Sequence, residues 1–260
     1  MKTILINGVE TFIGADASAL DRKKKTVVFL HGSGMNHKSW QTIPAWFLDN
    51  NFNVIALDFP AHSDSSGAAF STIEESTQWL KLLESQLNVQ FDYLVGHSQG
   101  FLTALEFAAR YSEGLEGIVG IASAYAIPVN QDLIDTAEAS PIDAANLMIK
   151  WSLSSEYADR IKGQDEGDLL EKLAKSMAKN SLAEDLKACA AYKNGVAAAK
   201  LIDVPSLMVL SAQDKMTPIK HGLETSKVLG SEVEILEEVG HMLPLEAPNE
   251  VLACLSRFIV

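Results

Sequence analysis

The chain has 260 residues, 47% of them hydrophobic and 21% charged, enough for one large core and unlike the composition of a disordered chain. Its 21 basic and 34 acidic side chains give a net charge of -13, which repels phosphate backbones and anionic lipid, so neither nucleic acid nor a membrane surface is an expected partner. Two cysteines, Cys189 and Cys254, fall in helix-like stretches and imply reduced core thiols rather than a disulfide framework or a C-x-x-C metal site.

The apolar start Ile4–Ile6 stops at Asn7-Gly8, too soon for a signal-peptide core, and no apolar run approaches the ~18 residues of a membrane span. A cytoplasmic location is therefore expected. Residues 3–15 read as a hairpin around Asn7-Gly8, the dipeptide that readily takes the positive φ angles of a type I′ turn. After the basic cluster Arg22–Lys25, Thr26–Leu30 is an unalternating apolar run, as expected of a strand buried on both faces of a parallel sheet. His31-Gly32-Ser33-Gly34 follows it directly. Glycines there let the backbone turn its N–H groups into a cavity, which acyl transfer requires opposite a nucleophile. The same glycines do not make a dinucleotide fingerprint, because His37 stands at the third glycine position.

A helix is predicted over Ser39–Asn50, a strand over Asn53–Leu57, a polar loop over Asp58–Ser65 and a helix over Ile73–Leu87. The strand Phe91–Val95 then runs into Gly96-His97-Ser98-Gln99-Gly100, and helical spacing resumes through Gln99–Tyr111. A serine between glycines at a strand-to-helix turn is held in strained φ/ψ with its hydroxyl exposed, so Ser98 is the candidate nucleophile. Gly117–Ala122 is the next strand, and the alternation of strands with helices predicts βαβ crossovers.

From about Tyr125 to Lys200 the alternation fails. Ser140-Pro141-x-Asp143 and the capping box Ser181-x-x-Glu184 open helices, and between them Asp168–Lys179 is amphipathic, bounded by the loop Lys162–Gly167. A helical block interrupting a βα series reads as an inserted lid over 125–200, with 1–124 and 201–260 forming the core. Its Met148, Trp151, Met177 and Tyr192 either line a ligand pocket or pack the lid's own core. The parallel pattern returns with strand Ser206–Ser211, helix Pro218–Leu229, strand Val233–Leu236 and helix Pro248–Ile259. The fold class is thus α/β, a mostly parallel eight-stranded sheet with helices on both faces.

Carboxyl ends of parallel strands share one sheet edge, so Ser33, Ser98, Asp214 and His241 should meet in one crevice. An imidazole can take the Ser98 proton near neutral pH while a carboxylate fixes its tautomer. His241 and Asp214 suit these roles; the rival Asp203 precedes its strand and belongs at the other edge. His97 is expected beneath the turn and His31 within its own loop, with His37, His62 and His221 at the surface. Scattered histidines without an H-x-x-x-H pair indicate no metal site.

The order Ser98, Asp214, His241, with H-G-S-G, G-H-S-Q-G and G-H-x-x-x-x-E-x-P from Gly240 to Pro248, resembles the α/β-hydrolase fold superfamily in its lidded esterase-like group. That resemblance implies an oxyanion hole from the backbone N–H groups of Ser33 and Gln99, an ester-like small-molecule substrate and no cofactor. It implies a carboxylesterase acting on small or medium esters through an acyl-enzyme. Hydrolysis of a vinylogous diketone's carbon–carbon bond, a lactone or an amide stays open, as does a ligand-binding or receptor protein on the same fold. Serine in place of an aspartate nucleophile argues against the haloalkane dehalogenase and epoxide hydrolase branches, and Met242 stands where carbon–carbon hydrolases usually carry tryptophan. Many members have D-x-x-G-x-G-x-S where this chain has Ala61 and Ser63, which leaves the shape of that loop open. Substrate identity and oligomeric state are not readable from the residues.

Overall fold

The computed structural model describes residues 2–161 and 167–260. Eight strands form among them, in two sheets rather than one. Strands β1 (Thr3–Ile6) and β2 (Val9–Phe12) pair only with each other, antiparallel, across Asn7 at φ 50° and Gly8 at φ 81°. The predicted hairpin is there, but it joins the main sheet through single contacts such as Asp58 N–H to Phe12 O at 3.0 Å. Without a ladder it is a separate flap, and the eight-stranded expectation becomes six plus two.

The six are β3 (Thr26–Leu30), β4 (Asn53–Ala56), β5 (Tyr93–His97), β6 (Gly117–Ile121), β7 (Ser206–Ser211) and β8 (Glu232–Leu236), in the order β4-β3-β5-β6-β7-β8, every neighbouring pair parallel. Because side chains alternate across a strand, β3 splits its apolar run between two cores. Val28 and Leu30 pack on the side of α2 (Ile73–Leu87) and α3 (Gln99–Arg110), with Leu80, Leu83 and Leu105. Val27 and Phe29 pack on the opposite side, against Ile43 and Phe47 of α1 (Ile43–Asp49) and residues of the C-terminal helix. Each such side chain taken fully from water contributes about 1.5–3 kcal/mol, which is why strands with both faces covered read as continuous apolar runs.

Helix α1 starts later than predicted. His37–Trp40 forms a 3-10 turn, Gln41 takes φ 49°, and the α-helix begins beside Pro44, whose missing N–H costs nothing in a first turn. Helix α2 is capped as its sequence suggests: Thr72 accepts the Glu75 N–H at 3.1 Å, while Glu75 accepts the Ser71 N–H at 2.8 Å.

Between β6 and β7 lie α4 (Gln131–Ala139), α5 (Pro141–Ser152), α6 (Ser155–Ile161), α7 (Gly167–Lys179), α8 (Leu182–Ala191) and α9 (Gly195–Ala199). Residues 162–166 of the predicted Lys162–Gly167 loop fall outside the described residues, and Gly167 opens α7. Helices α5 and α8 begin where expected, but neither Ser140 nor Ser181 makes its cap bond. Ser181 sits at φ 47°, ψ 39°, the left-handed region, whereas a side-chain cap needs extended backbone. Leu133, Ala144, Met148, Leu182 and Leu186 give these helices a core of their own, which also takes in Met35 and Met242 from loops that follow β3 and β8. The chain closes with α10 (Ile219–Leu229), α11 (Leu243–Glu246) and α12 (Pro248–Phe258). Among the described residues no helix is long and apolar enough to cross a membrane. Cys189 and Cys254 are free and buried, as expected.

Candidate active site

Ser98 lies between β5 and α3 at φ 52°, ψ -120°, a conformation costing about 1–3 kcal/mol in a non-glycine residue. Its surroundings hold it there. The Ser98 N–H donates to Ile121 O at 2.9 Å, and the Ser98 carbonyl accepts from Phe101 N–H at 3.0 Å and Ser123 Oγ at 2.8 Å. The flanking glycines are sterically required: a Cβ at Gly96 would lie 2.3 Å from Phe101 N, and one at Gly100 would lie 2.1 Å from Leu30 O. Close passage of helix α3 over β3 and β5 is thus built into the pentapeptide.

His241 follows β8 and is 4% exposed. Its Nδ1 meets Asp214 Oδ2 at 2.8 Å, while Asp214 Oδ1 accepts the N–H groups of Met216 and Thr217, each at 2.8 Å. A carboxylate so held can only accept, so Nδ1 carries the proton and Nε2 is left unprotonated, with its lone pair available. The loop around His241 is fixed by Glu246, a buried carboxylate accepting from Gly240 N–H at 3.0 Å, Met242 N–H at 3.1 Å and Ser154 N–H at 2.9 Å. That is the physical content of the glutamate in G-H-x-x-x-x-E-x-P. Gly240 is needed there because a Cβ would sit 2.1 Å from Ser152 O.

His97 lies beneath the turn, as expected, and donates from Nε2 to the His241 carbonyl at 2.9 Å. Its buried Nδ1 has no hydrogen-bond partner among the described residues, and burial, with His241 nearby, pushes its pKa down to about 3, so it stays neutral. His31 ties two loops together. Its Nε2 accepts the Phe59 N–H at 3.1 Å and its Nδ1 donates to Gly32 O at 2.9 Å, while burial and then His62 lower its pKa to about 4.

The Ser33 loop passes directly over the turn: a Cβ on Gly32 would meet His97 Nδ1 at 3.0 Å and Ser98 Cβ at 3.2 Å. Ser33 Oγ donates to Gln99 Oε1 at 2.9 Å. Gln99 opens α3, and the first N–H groups of a helix have no partner within it, its own included.

Ser33, Ser98 and His241 line one cavity of about 150 Å³, whose other walls are largely apolar and come from α4, α5, α8 and the loop after β7. Met148 and Trp151 are in that wall. Met177 and Tyr192 are not. Met177 is fully buried in the core of the helical segment, its Cβ 3.5 Å from where a Gly34 Cβ would be. Tyr192 turns away to donate to Glu106 Oε2 at 2.6 Å, and burial and that carboxylate raise its pKa. Cys189 does line the cavity, but burial pushes its thiol up to about 12, so it stays protonated.

Of the three histidines expected at the surface, His221 and His37 are only partly exposed and His62 is buried. His37 is partly covered and faces Asp58 at 2.9 Å, and His62 is 1% exposed, its Nε2 2.9 Å from Asp185 Oδ2. Both partners are distant in sequence, so no local pattern announced them. Asp203 is exposed ahead of β7, away from the strand end that carries Asp214. Ala61 and Ser63 keep positive φ values of 64° and 44°, so the loop retains the backbone that glycine normally supplies. Among the described residues, His37, Asp58 and Asp64 offer ligand atoms within 4.8 Å of one another, but both Asp58 oxygens already face the His37 ring.

Comparison with known proteins supports one family. A profile described as "Alpha/beta hydrolase family" matches residues 27–253. The carboxylesterase YbfK of Bacillus subtilis is 26% identical over 243 residues, covering 87% of this chain and 77% of the relative. The 2-succinyl-6-hydroxy-2,4-cyclohexadiene-1-carboxylate synthase of Enterobacter sp. is 22% identical over 250 residues, covering 90% and 91%. The crystal structure of the enol-lactonase from Burkholderia xenovorans LB400 superposes with a TM-score of 0.86 at 20% identity over 99% of both chains, a likeness of fold.

Proposed function

This chain belongs to the alpha/beta hydrolase family, and we propose that within it the chain is a serine hydrolase, a carboxylesterase acting on small esters. The observation that carries the reading is the meeting of strained Ser98 and the Asp214-held His241 in one cavity roofed by the Ser33 loop. Ser98 Oγ attacks the ester carbonyl as His241 Nε2 takes its proton. The carbonyl oxygen becomes an oxyanion met by the N–H groups of Ser33 and Gln99. Collapse expels the alkoxide, which takes the proton back from His241 and leaves as alcohol. Water, deprotonated by His241, then attacks the acyl-Ser98 ester, and return of that proton to Ser98 releases the acid.

A cavity of about 150 Å³ is below the ~300–1,000 Å³ typical of drug-sized ligands, which supports short acyl groups. Helices α4–α9 act as the lid, and Met148 and Trp151 contact the substrate. Lactones suit the same steps, with the leaving alkoxide tethered to the acyl group. The free thiols fit a reducing, cytoplasmic compartment. The test is a panel of p-nitrophenyl acetate and butyrate, simple lactones and a ring-cleavage diketone, with Ser98→Ala as blank. Serine-dependent turnover of the esters supports the reading. Turnover of the diketone alone refutes the esterase assignment, and tight ligand binding without turnover refutes catalysis.

A further inference from the structure

One buried ionic cluster has no part in the steps above, yet it grips the loop that roofs the serine. Both ring nitrogens of His62 face acceptors: Nδ1 lies 2.9 Å from the Pro60 carbonyl and Nε2 lies 2.9 Å from Asp185 Oδ2. A carbonyl and a carboxylate donate nothing, so both nitrogens carry protons and the ring is an imidazolium facing an anion. Asp185 comes from α8. Its Oδ2 also accepts the Gly34 N–H at 2.7 Å, and its Oδ1 faces Gln99 Nε2 at 3.4 Å. The other end of that Gln99 amide accepts from Ser33 Oγ at 2.9 Å. Just ahead of α8, Asn180 Nδ2 donates to Gly34 O and Met35 O, each at 3.1 Å. One carboxylate from the helical segment therefore holds the residue after Ser33 and the side chain of Gln99, the two residues assigned above as oxyanion donors.

We infer that Asp185, clamped by His62, is a positioning residue that aims the Ser33 and Gln99 N–H groups at the oxyanion, so that the loop is competent only while α8 is seated. This rests on the serine-hydrolase reading. Asp185 touches no reacting atom. Charge-assisted bonds are shorter and stiffer than neutral ones, so the ionised form matters to the aim as well as to the contact. An error of about 1 Å in donor placement costs on the order of 10²-fold in rate.

Protonation of His62 governs the clamp. Burial alone lowers its pKa, but the Asp185 charge and hydrogen bond outweigh that and hold it above the ordinary histidine value. The other charged or titratable groups facing it are Asp58 and His31, whose ring centroid is 4.9 Å away and which is neutral at pH 7. As pH rises through the raised His62 value, the ring keeps one N–H for its two acceptors and Asp185 loses its counter-charge, so the loop loosens. An alkaline fall in kcat follows, with little change in KM.

The experiment compares the parent protein with D185N, D185E and H62Q on p-nitrophenyl butyrate. It measures kcat and KM across pH, affinity for a trifluoromethyl ketone that mimics the oxyanion, and the melting temperature. D185N is expected to lower kcat by about 10–100-fold, less than the 10²–10³ of deleting a donor outright. KM should stay within about threefold, ketone affinity should fall with kcat, and D185E should recover part of both. H62Q should lack the alkaline fall seen in the parent. A D185N kcat within twofold of the parent, or a loss of kcat without the matching loss of ketone affinity, overturns the inference. If D185N does not fold, an alkaline limb unchanged in H62Q overturns it instead. A parent that turns over no ester removes the serine-hydrolase reading itself; a parent that does, with an indifferent D185N, removes only the positioning role.

Discussion

Replacing Asp214 with asparagine tests the base assignment with little disturbance of the fold. Asp214 Oδ1 accepts two backbone N–H groups, from Met216 and Thr217, and Oδ2 faces His241 Nδ1 at 2.8 Å. In D214N the amide oxygen must stay with the two N–H donors, because turning it would set an NH2 group against them. The amide NH2 then points at His241 Nδ1, which can pair only by accepting. The imidazole proton is driven to Nε2, the nitrogen that has to take the Ser98 proton. The wrong tautomer costs about 10⁴ in kcat, or ~5.5 kcal/mol of transition-state stabilisation. Stability should fall by only about 1–2 kcal/mol, since every donor and acceptor keeps a partner. D214A should lower stability as well as kcat: it leaves two N–H groups, the part-buried one of Met216 and the buried one of Thr217, without their acceptor, at up to about 1–3 kcal/mol each. Kinetics with p-nitrophenyl butyrate and urea unfolding of both variants read these quantities. A D214N enzyme keeping more than a tenth of the parent kcat would refute the reasoning.

Gly32→Ala should lower kcat by about 10–100-fold without unfolding the chain, because its Cβ must displace the Ser33 loop by a few tenths of an ångström from Ser98 and His97. Gly100→Ala, whose Cβ would lie 2.1 Å from Leu30 O, should instead prevent folding, and expression with thermal melting separates the two outcomes. Acid should unfold the protein through His31 and His97: with folded pKa values of about 4 and about 3, both bind protons more weakly than in the unfolded chain. Their stabilisation is lost as pH falls below about 6.5, to limits on the order of 3 and 5 kcal/mol. His62 works in the other direction, its stabilisation complete below about 6.5 and lost as pH rises through its raised folded value. A urea midpoint that does not fall between pH 6.5 and 4.5 would count against the buried-neutral assignment. Leu186→Phe, which narrows the cavity, should reduce kcat/KM more for the butyrate ester than for the acetate, and equal losses would place the acyl group elsewhere.

What was legible in the residues was what strands announce. Thr26–Leu30 and Ser206–Ser211 appear as written because both faces are buried, and Ser98 and Asp214 were locatable because each follows a buried strand, whereas His241 follows the half-exposed edge strand β8 and was marked by the glycine before it and its place after Asp214. The hairpin was legible, but not its separation from the sheet, since no local pattern says whether an edge strand finds a ladder. Met148 and Trp151 reach the cavity while Met177 and Tyr192 do not, and helical periodicity could not divide them. A helix packed on both its helical neighbours and the loops at the sheet edge has more than one apolar face. The His62–Asp185 pair spans 123 positions, so only the folded chain reveals why two groups that look like surface polar residues are buried together.

The central claim is that Ser98 is an activated nucleophile. A fluorophosphonate probe followed by peptide mass mapping tests it most directly, with turnover of p-nitrophenyl acetate measured alongside. The account predicts a single phosphonylated residue, Ser98, with esterase activity lost in proportion to labelling and both absent in Ser98→Ala. An unlabelled Ser98 in a folded protein, or ester turnover that survives Ser98→Ala, would contradict it.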